Sequence, residues 1–172
     1  VLIDPLENDK DIVTIVQTWV ESDELRNEEG NLRPLVIITL GLSGMARSYV
    51  AANADRYPIY VIQLPIGGQE GFDILSDIKD ITGTAVIYNT STGRPISSWG
   101  QDFKETDLDK GEEWKEFGRA AKVILTSNAC SVVPLPQNEN SEGIELKIKL
   151  LETRIAVSKD EAEIEHTKKR IA

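Results

Sequence analysis

Residue types able to do chemistry are few in this chain, and they stand apart. Ser43, Ser48 and Cys130 are potential nucleophiles, but the one histidine, His166, lies in a charged stretch far along the sequence. A hydroxyl or thiol attacks only when a neighbouring base takes its proton, and no such base is at hand. With a single cysteine and a single histidine, a zinc site would need several carboxylates at ligand spacing, and none is so spaced; no metal is expected. Asp77 and Asp80 fall three apart on a helical pattern and share a face, as a pair for acid–base work would. Ordinary solvated carboxylates have the same spacing, and that is the expectation here.

The remaining candidate is Gly41-Leu42-Ser43-Gly44, which follows an apolar run and opens a helix. Free backbone amides at such a place hold phosphates. Neither GxxxxGK[ST] nor GxGxxG is present, and the second glycine turn, Gly67-Gly68-Gln69-Glu70-Gly71, puts a carboxylate where a phosphate would go. Tight-turn glycine is the simpler reading. Residues 1–172 are thus expected to carry no enzyme activity and no cofactor. A small-molecule or phosphate-binding α/β domain using Gly41–Gly44 stands as the alternative to a protein-binding role.

The elements that position these residues centre on 34–87. Leu35 to Leu40 is a continuous, largely β-branched run, suited to a parallel strand covered on both faces. Ser43 can cap a helix over 43–55, Tyr60 to Leu64 is a second strand, and Pro65 ends it. Phe72, Leu75, Ile78 and Ile81 form the inward stripe of a next helix closed by Gly83, and Ala85 to Tyr88 is a third strand. This alternation with short connections predicts a parallel βαβαβ unit.

Before it, Val1 to Ile3 is a short apolar run that Asp4-Pro5 breaks, beginning as if cut from a longer polypeptide. Asp9 caps a helix to about residue 22. On that helix Ile12, Val13, Ile15, Val16, Trp19 and Val20 cover roughly 160°, against about 100° for a helix lying on one core. Either part of the arc is exposed, or two neighbouring elements cover it. Residues 89–110, with Trp99 and Phe103 among turn formers, read as a loop excursion, followed by a short acidic helix to Phe117. Ala121 to Leu125 and Ala129 to Val133 flank Thr126-Ser127-Asn128 as an antiparallel pair. Two helical stretches, 143–157 and 159–172, end the chain, the second so polar that it is expected to be marginal.

The whole is 172 residues, enough for one α/β domain with appendages, with 28% charged residues and a net charge of −10. That charge argues against a phosphate backbone, so no nucleic acid is expected. The apolar runs are far shorter than the roughly 20 residues that cross a bilayer, so no membrane is expected either. A lone cysteine fits a reducing compartment.

From Arg33 to Ile87 the chain resembles the apical domain of a group I chaperonin, the bacterial GroEL type. The matching residues are Pro34-Leu35-Val36-Ile37-Ile38, Ser43-Gly44, Asn53, Pro65, Gly68, Leu75-Ser76-Asp77-Ile78 and Ile81-Thr82-Gly83-Thr84-Ala85-Val86-Ile87. The likeness resumes at Phe117-Gly118-Arg119-Ala120-Ala121-Lys122-Val123-Ile124 and runs to Lys169-Arg170-Ile171-Ala172. The resemblance implies an α/β, GroEL-like apical domain: a parallel βαβαβ unit with an antiparallel strand pair and a C-terminal helical hairpin. It divides the chain into a polypeptide-binding domain over 1–142 and a helical pair over 143–172 leading toward an intermediate domain.

By the same resemblance, non-native polypeptide and a co-chaperonin bind an apolar groove between the first two helices, at Val16, Trp19, Val20, Arg47, Ala51, Ala52 and Asn53. Arg47, Ala51 and Ala52 replace larger apolar residues of the family pattern, a loss of about 1–3 kcal/mol of burial at a partner. That drift implies an unusual member, viral or from a reduced genome. Trp19 is expected partly exposed, as the groove's anchor. The implied setting is a bacterial or phage-infected cytoplasm, in a ring of sister subunits whose other domains bind ATP and Mg.

Overall fold

Strand-forming runs without polar alternation must be covered on both sides, and the chain solves this with one parallel sheet between two layers. The computed structural model describes residues 1–6, 9–83, 87–89, 117–126, 129–136 and 141–171. Strands β1 (Leu2–Asp4), β2 (Leu35–Thr39), β3 (Ile59–Gln63) and β4 (Ile87–Asn89) pair in parallel in the order β3-β2-β1-β4. Helices α1 (Asp9–Glu21) and α2 (Gly44–Asn53) cover one face, and α3 (Gly68–Thr82) the other, beside the antiparallel hairpin of β5 (Ala120–Leu125) and β6 (Cys130–Pro134). Helices α4 (Ser141–Val157) and α5 (Glu161–Ile171) follow.

The expected parallel unit is present, with one difference in order. The short opening run joins the sheet: β1 lies between β2 and β4, with Leu2 opposite Ile38 and Ile87, and Ile3 opposite Thr39 and Tyr88. The connection through α3 therefore carries the chain past β2 and β1. Successive side chains of a strand take opposite faces, so Ile3, Leu35 and Ile37 enter the core under α1 and α2, while Leu2 and Ile38 enter the one with Ile62 and Leu75.

Local signals set the boundaries. Ser43 Oγ accepts from the Ala46 amide, capping α2, and Gly83, at φ 68°, closes α3 in the left-handed region. The Thr126 amide donates to the Ala129 carbonyl across the predicted turn of the β5–β6 hairpin. The excursion over 89–110 and the acidic helix before Phe117 lie outside the described residues, Asn89 excepted. Among the described residues no helix is long and apolar enough to cross a membrane.

The wide arc of α1 is resolved in favour of two covering elements. Ile12, Ile15, Val16 and Trp19 are all buried, the sheet meeting one flank and Ala46, Tyr49 and Val50 of α2 joining the same core. Trp19, only 2% exposed, donates from Nε1 to the Arg33 carbonyl at 3.1 Å. It meets the Tyr57 ring edge-on, with centroids 5.9 Å apart. The expectation of a half-exposed Trp19 is therefore corrected: its indole plugs the end of the core where β2 begins. Truncating so enclosed a side chain loses its transfer energy and leaves a cavity. Trp19→Ala is expected to lower unfolding free energy by about 3–5 kcal/mol in urea titration; a loss below about 1 kcal/mol would show that the indole is not enclosed.

Candidate functional site

On the two helices singled out by the resemblance, the structure separates the named residues. Val16 and Trp19 belong to the core, which corrects their assignment to an open groove: the face of α1 that carries them is turned to the sheet. Val20 is half-buried, Arg47, Ala51 and Ala52 are exposed on α2, and Asn53 spends its side-chain amide on the Tyr49 carbonyl at 2.8 Å. The outer surface of this helix pair also exposes Lys10, Gln17 and Ser48. It is more polar than an apolar groove, with Met45, 64% exposed, at its edge.

The Gly41–Gly44 turn has a structural job. A Cβ on Gly41 would stand 2.8 Å from Pro5 Cβ, so the residue must be glycine for β1 and β2 to close up. Its donors are largely spoken for. The Ser43 amide bonds the Leu6 carbonyl at 3.0 Å, the Gly41 amide bonds Thr39 Oγ1, and Ser43 Oγ holds the Ala46 amide. A phosphate there would have to displace these bonds.

Asp77 and Asp80 are not a solvated pair. Lys147 of α4 bonds both, at 2.8 Å to Asp77. Arg170 of α5 makes a forked pair with Asp77, Nε to Oδ2 at 2.9 Å and Nη2 to Oδ1 at 3.0 Å, and reaches Asp73 at 2.8 Å. This corrects the expectation for the carboxylates, and equally that of a loose last helix. His166 Nδ1 lies 2.9 Å from Glu70, with Nε2 buried 3.8 Å from Asp73. Burial alone would raise the Asp77 carboxyl; hydrogen bonds from Arg170 and Lys147 outweigh it and hold the group below its ordinary 3.8. The arrangement is a clamp between helices α3, α4 and α5. Among the described residues no group of three or more His, Cys, Asp or Glu could hold a metal ion.

Sequence reasoning passed over the apolar surface that is exposed. Tyr60 on β3, Ile124 and Leu125 on β5, Val133 on β6 and Leu146, Leu150 and Val157 on α4 are all large and open to solvent. A cleft of about 610 Å³ runs between the second sheet face and the hairpin, lined by Leu2, Val36, Ile38, Tyr60 and β5 among others. The signal that could have found it is the β5 pattern Ala-Ala-Lys-Val-Ile-Leu, apolar beyond what one face needs.

No family model matches the chain, and no curated protein does. Among solved structures it is similar in fold, over 99% of its length, to a chaperonin, so the fold is that of a chaperonin-like domain. The solved protein is chaperonin gp146 from the bacteriophage EL 2 (Pseudomonas aeruginosa), crystallised in the presence of ATP-BeFx. The TM-score is 0.61 in both crystal forms, at 18% identity in one and 16% in the other. The chain spans 30% of the length of that protein.

The clamp generates a measurable pH dependence. Asp77 binds its proton more weakly folded than unfolded, so its contribution is whole above the unfolded value and is lost as pH falls through the folded one. Amide protection of α5 is expected to fall as pH drops below about 4, and Arg170→Ala to release it at neutral pH. Unchanged α5 protection in that variant would mean that apolar packing alone docks the helix.

Proposed function

We propose that this chain is the polypeptide-binding, apical domain of a chaperonin-like protein, one that acts by holding non-native segments rather than by catalysis. The observation that carries the reading is the fold likeness to a chaperonin along nearly the whole chain. Exposed apolar side chains on α2, β3 and the β5–β6 hairpin support it, since a surface of this kind recovers free energy only when another chain covers it.

In this reading the outer face of α1 and α2, with Val20, Arg47, Ala51, Ala52 and Asn53, contributes a mostly polar part of the surface, and Val16 and Trp19 support it from beneath. A co-chaperonin would meet the same face. Sister subunits would form a ring, and ATP and Mg would bind domains of the longer protein rather than these residues. The setting is the cytoplasm of a bacterium or of a phage-infected cell.

The test is light scattering from a thermally unfolded model protein. Stoichiometric chain without nucleotide should suppress its aggregation, and ATP should leave the chain's own melting temperature unchanged. Stabilisation by phosphorylated ligands with no effect on aggregation would sink the reading and favour a small-molecule site.

A further inference from the structure

The cleft beside β5 has a composition unlike the chain around it. Arg33 and Lys122 bring positive charge to it, and among the described residues no aspartate or glutamate lines it, in a protein with 29 acidic residues against 19 basic ones. Its floor is apolar, from Leu2, Val36 and Ile38 of the sheet and Val132 of β6. Its wall is the strand: the consecutive residues Ala120 to Val123 line it, so the cleft runs along β5. Among the described residues β5 pairs with β6 alone, leaving the other edge unpaired. Leu125, 47% exposed, also lines the cleft and carries its apolar surface out to solvent.

An unpaired edge, an apolar floor and a cationic rim define one kind of occupant. We propose that the β5 edge takes an extended peptide in which apolar residues alternate with acidic ones. The peptide adds a strand to the hairpin, sets its apolar side chains toward the floor and places its carboxylates near Arg33 and Lys122. Strand addition supplies affinity through main-chain hydrogen bonds that any sequence can make, while the alternate side chains supply selection. The cations reject basic segments, since like charges brought together across an interface cost more than a rim pair gains. This deepens the proposed capture of non-native polypeptide by naming where it happens and which segments are preferred.

The probe is a fluorescent, end-blocked octapeptide of alternating Val and Glu, followed by anisotropy, with the alternating Val and Lys peptide beside it. The acidic peptide should bind saturably and the basic one at least about tenfold more weakly. Lys122→Glu should weaken the acidic peptide by about tenfold, whereas Lys168→Glu, the same charge change on α5, should not; circular dichroism and melting confirm that both variants fold. N-methylation of every second amide of the peptide should abolish binding if a strand is added.

Equal binding of the two peptides, indifference to Lys122→Glu, full binding of the N-methylated peptide, or no binding at all would each overturn the proposal. So would a concentration-dependent dimer lost in Lys122→Glu, which would assign the edge to a second copy of the chain. Failure of the unaltered chain to suppress aggregation sinks the broader reading. Suppression that persists undiminished in Lys122→Glu, with no charge preference among peptides, sinks only this site.

Discussion

Pairing of β1 on both its edges is the constraint from which the other contacts follow. Three residues, Leu2 to Asp4, hold β2 on one side and β4 on the other, and the first two send one side chain into each core. A strand this short cannot persist by itself. It is fixed beyond its end by the Leu6 amide bonding the Gly41 carbonyl at 2.7 Å. Thr39, fully buried, donates from Oγ1 to the same carbonyl, also at 2.7 Å. A buried hydroxyl without such partners would cost free energy; with them it ties β1 to β2 where the two strands end. Gly41 is the corollary, since a side chain there would push Pro5 and with it β1 away.

Once the sheet is set, the fate of α1 is decided by geometry. The helix must return from the end of β1 to the start of β2, and α2, leaving β2, lies on the same face. Two neighbours then share the apolar arc of α1, and Trp19 closes the end of their common core against Tyr57 and the Arg33 carbonyl. Apart from Met45 at its start, what α2 leaves outside is small or polar: Arg47, Ser48, Ala51 and Ala52. The large exposed apolar residues of the strands gather instead on β3 and the hairpin.

Much of this was legible in the amino-acid order. The run Leu35 to Leu40, the Ser43 cap, the stripe of α3 and the Gly83 stop are local signals, and the elements follow them to within a residue or two. Sheet order is not local, and a three-residue apolar run such as Leu2 to Asp4 carries nothing that says which strands will flank it. The α1 arc was legible as an anomaly only; its width fits exposure and double coverage equally, and a resemblance to a groove-forming family pulled Trp19 toward the wrong one. Asp77 and Asp80 were misread for the same reason. Helical spacing shows that two carboxylates share a face, but not that cations 67 and 93 residues further on will meet them.

Those cations explain how a polar last helix stays in place. Helix α5 has Ile164 and Ile171 as its only large aliphatic residues, too little apolar area to dock by burial alone. Its attachment is a line of carboxylates on α3, Glu70, Asp73 and Asp77, facing His166 and Arg170, with Lys147 of α4 joining at Asp77 and Asp80. Arg170 is well shielded, its side chain 9% exposed, and its planar fork satisfies two aspartates at once. Arg154 and Ser158 hold Glu163 where α4 turns into α5, tying the two helices together at the turn. Contacts of this kind are directional and sensitive to salt and proton concentration, unlike the apolar cores that bind the sheet to its helices. The chain therefore joins a core fixed by burial to a last helix held largely by charge.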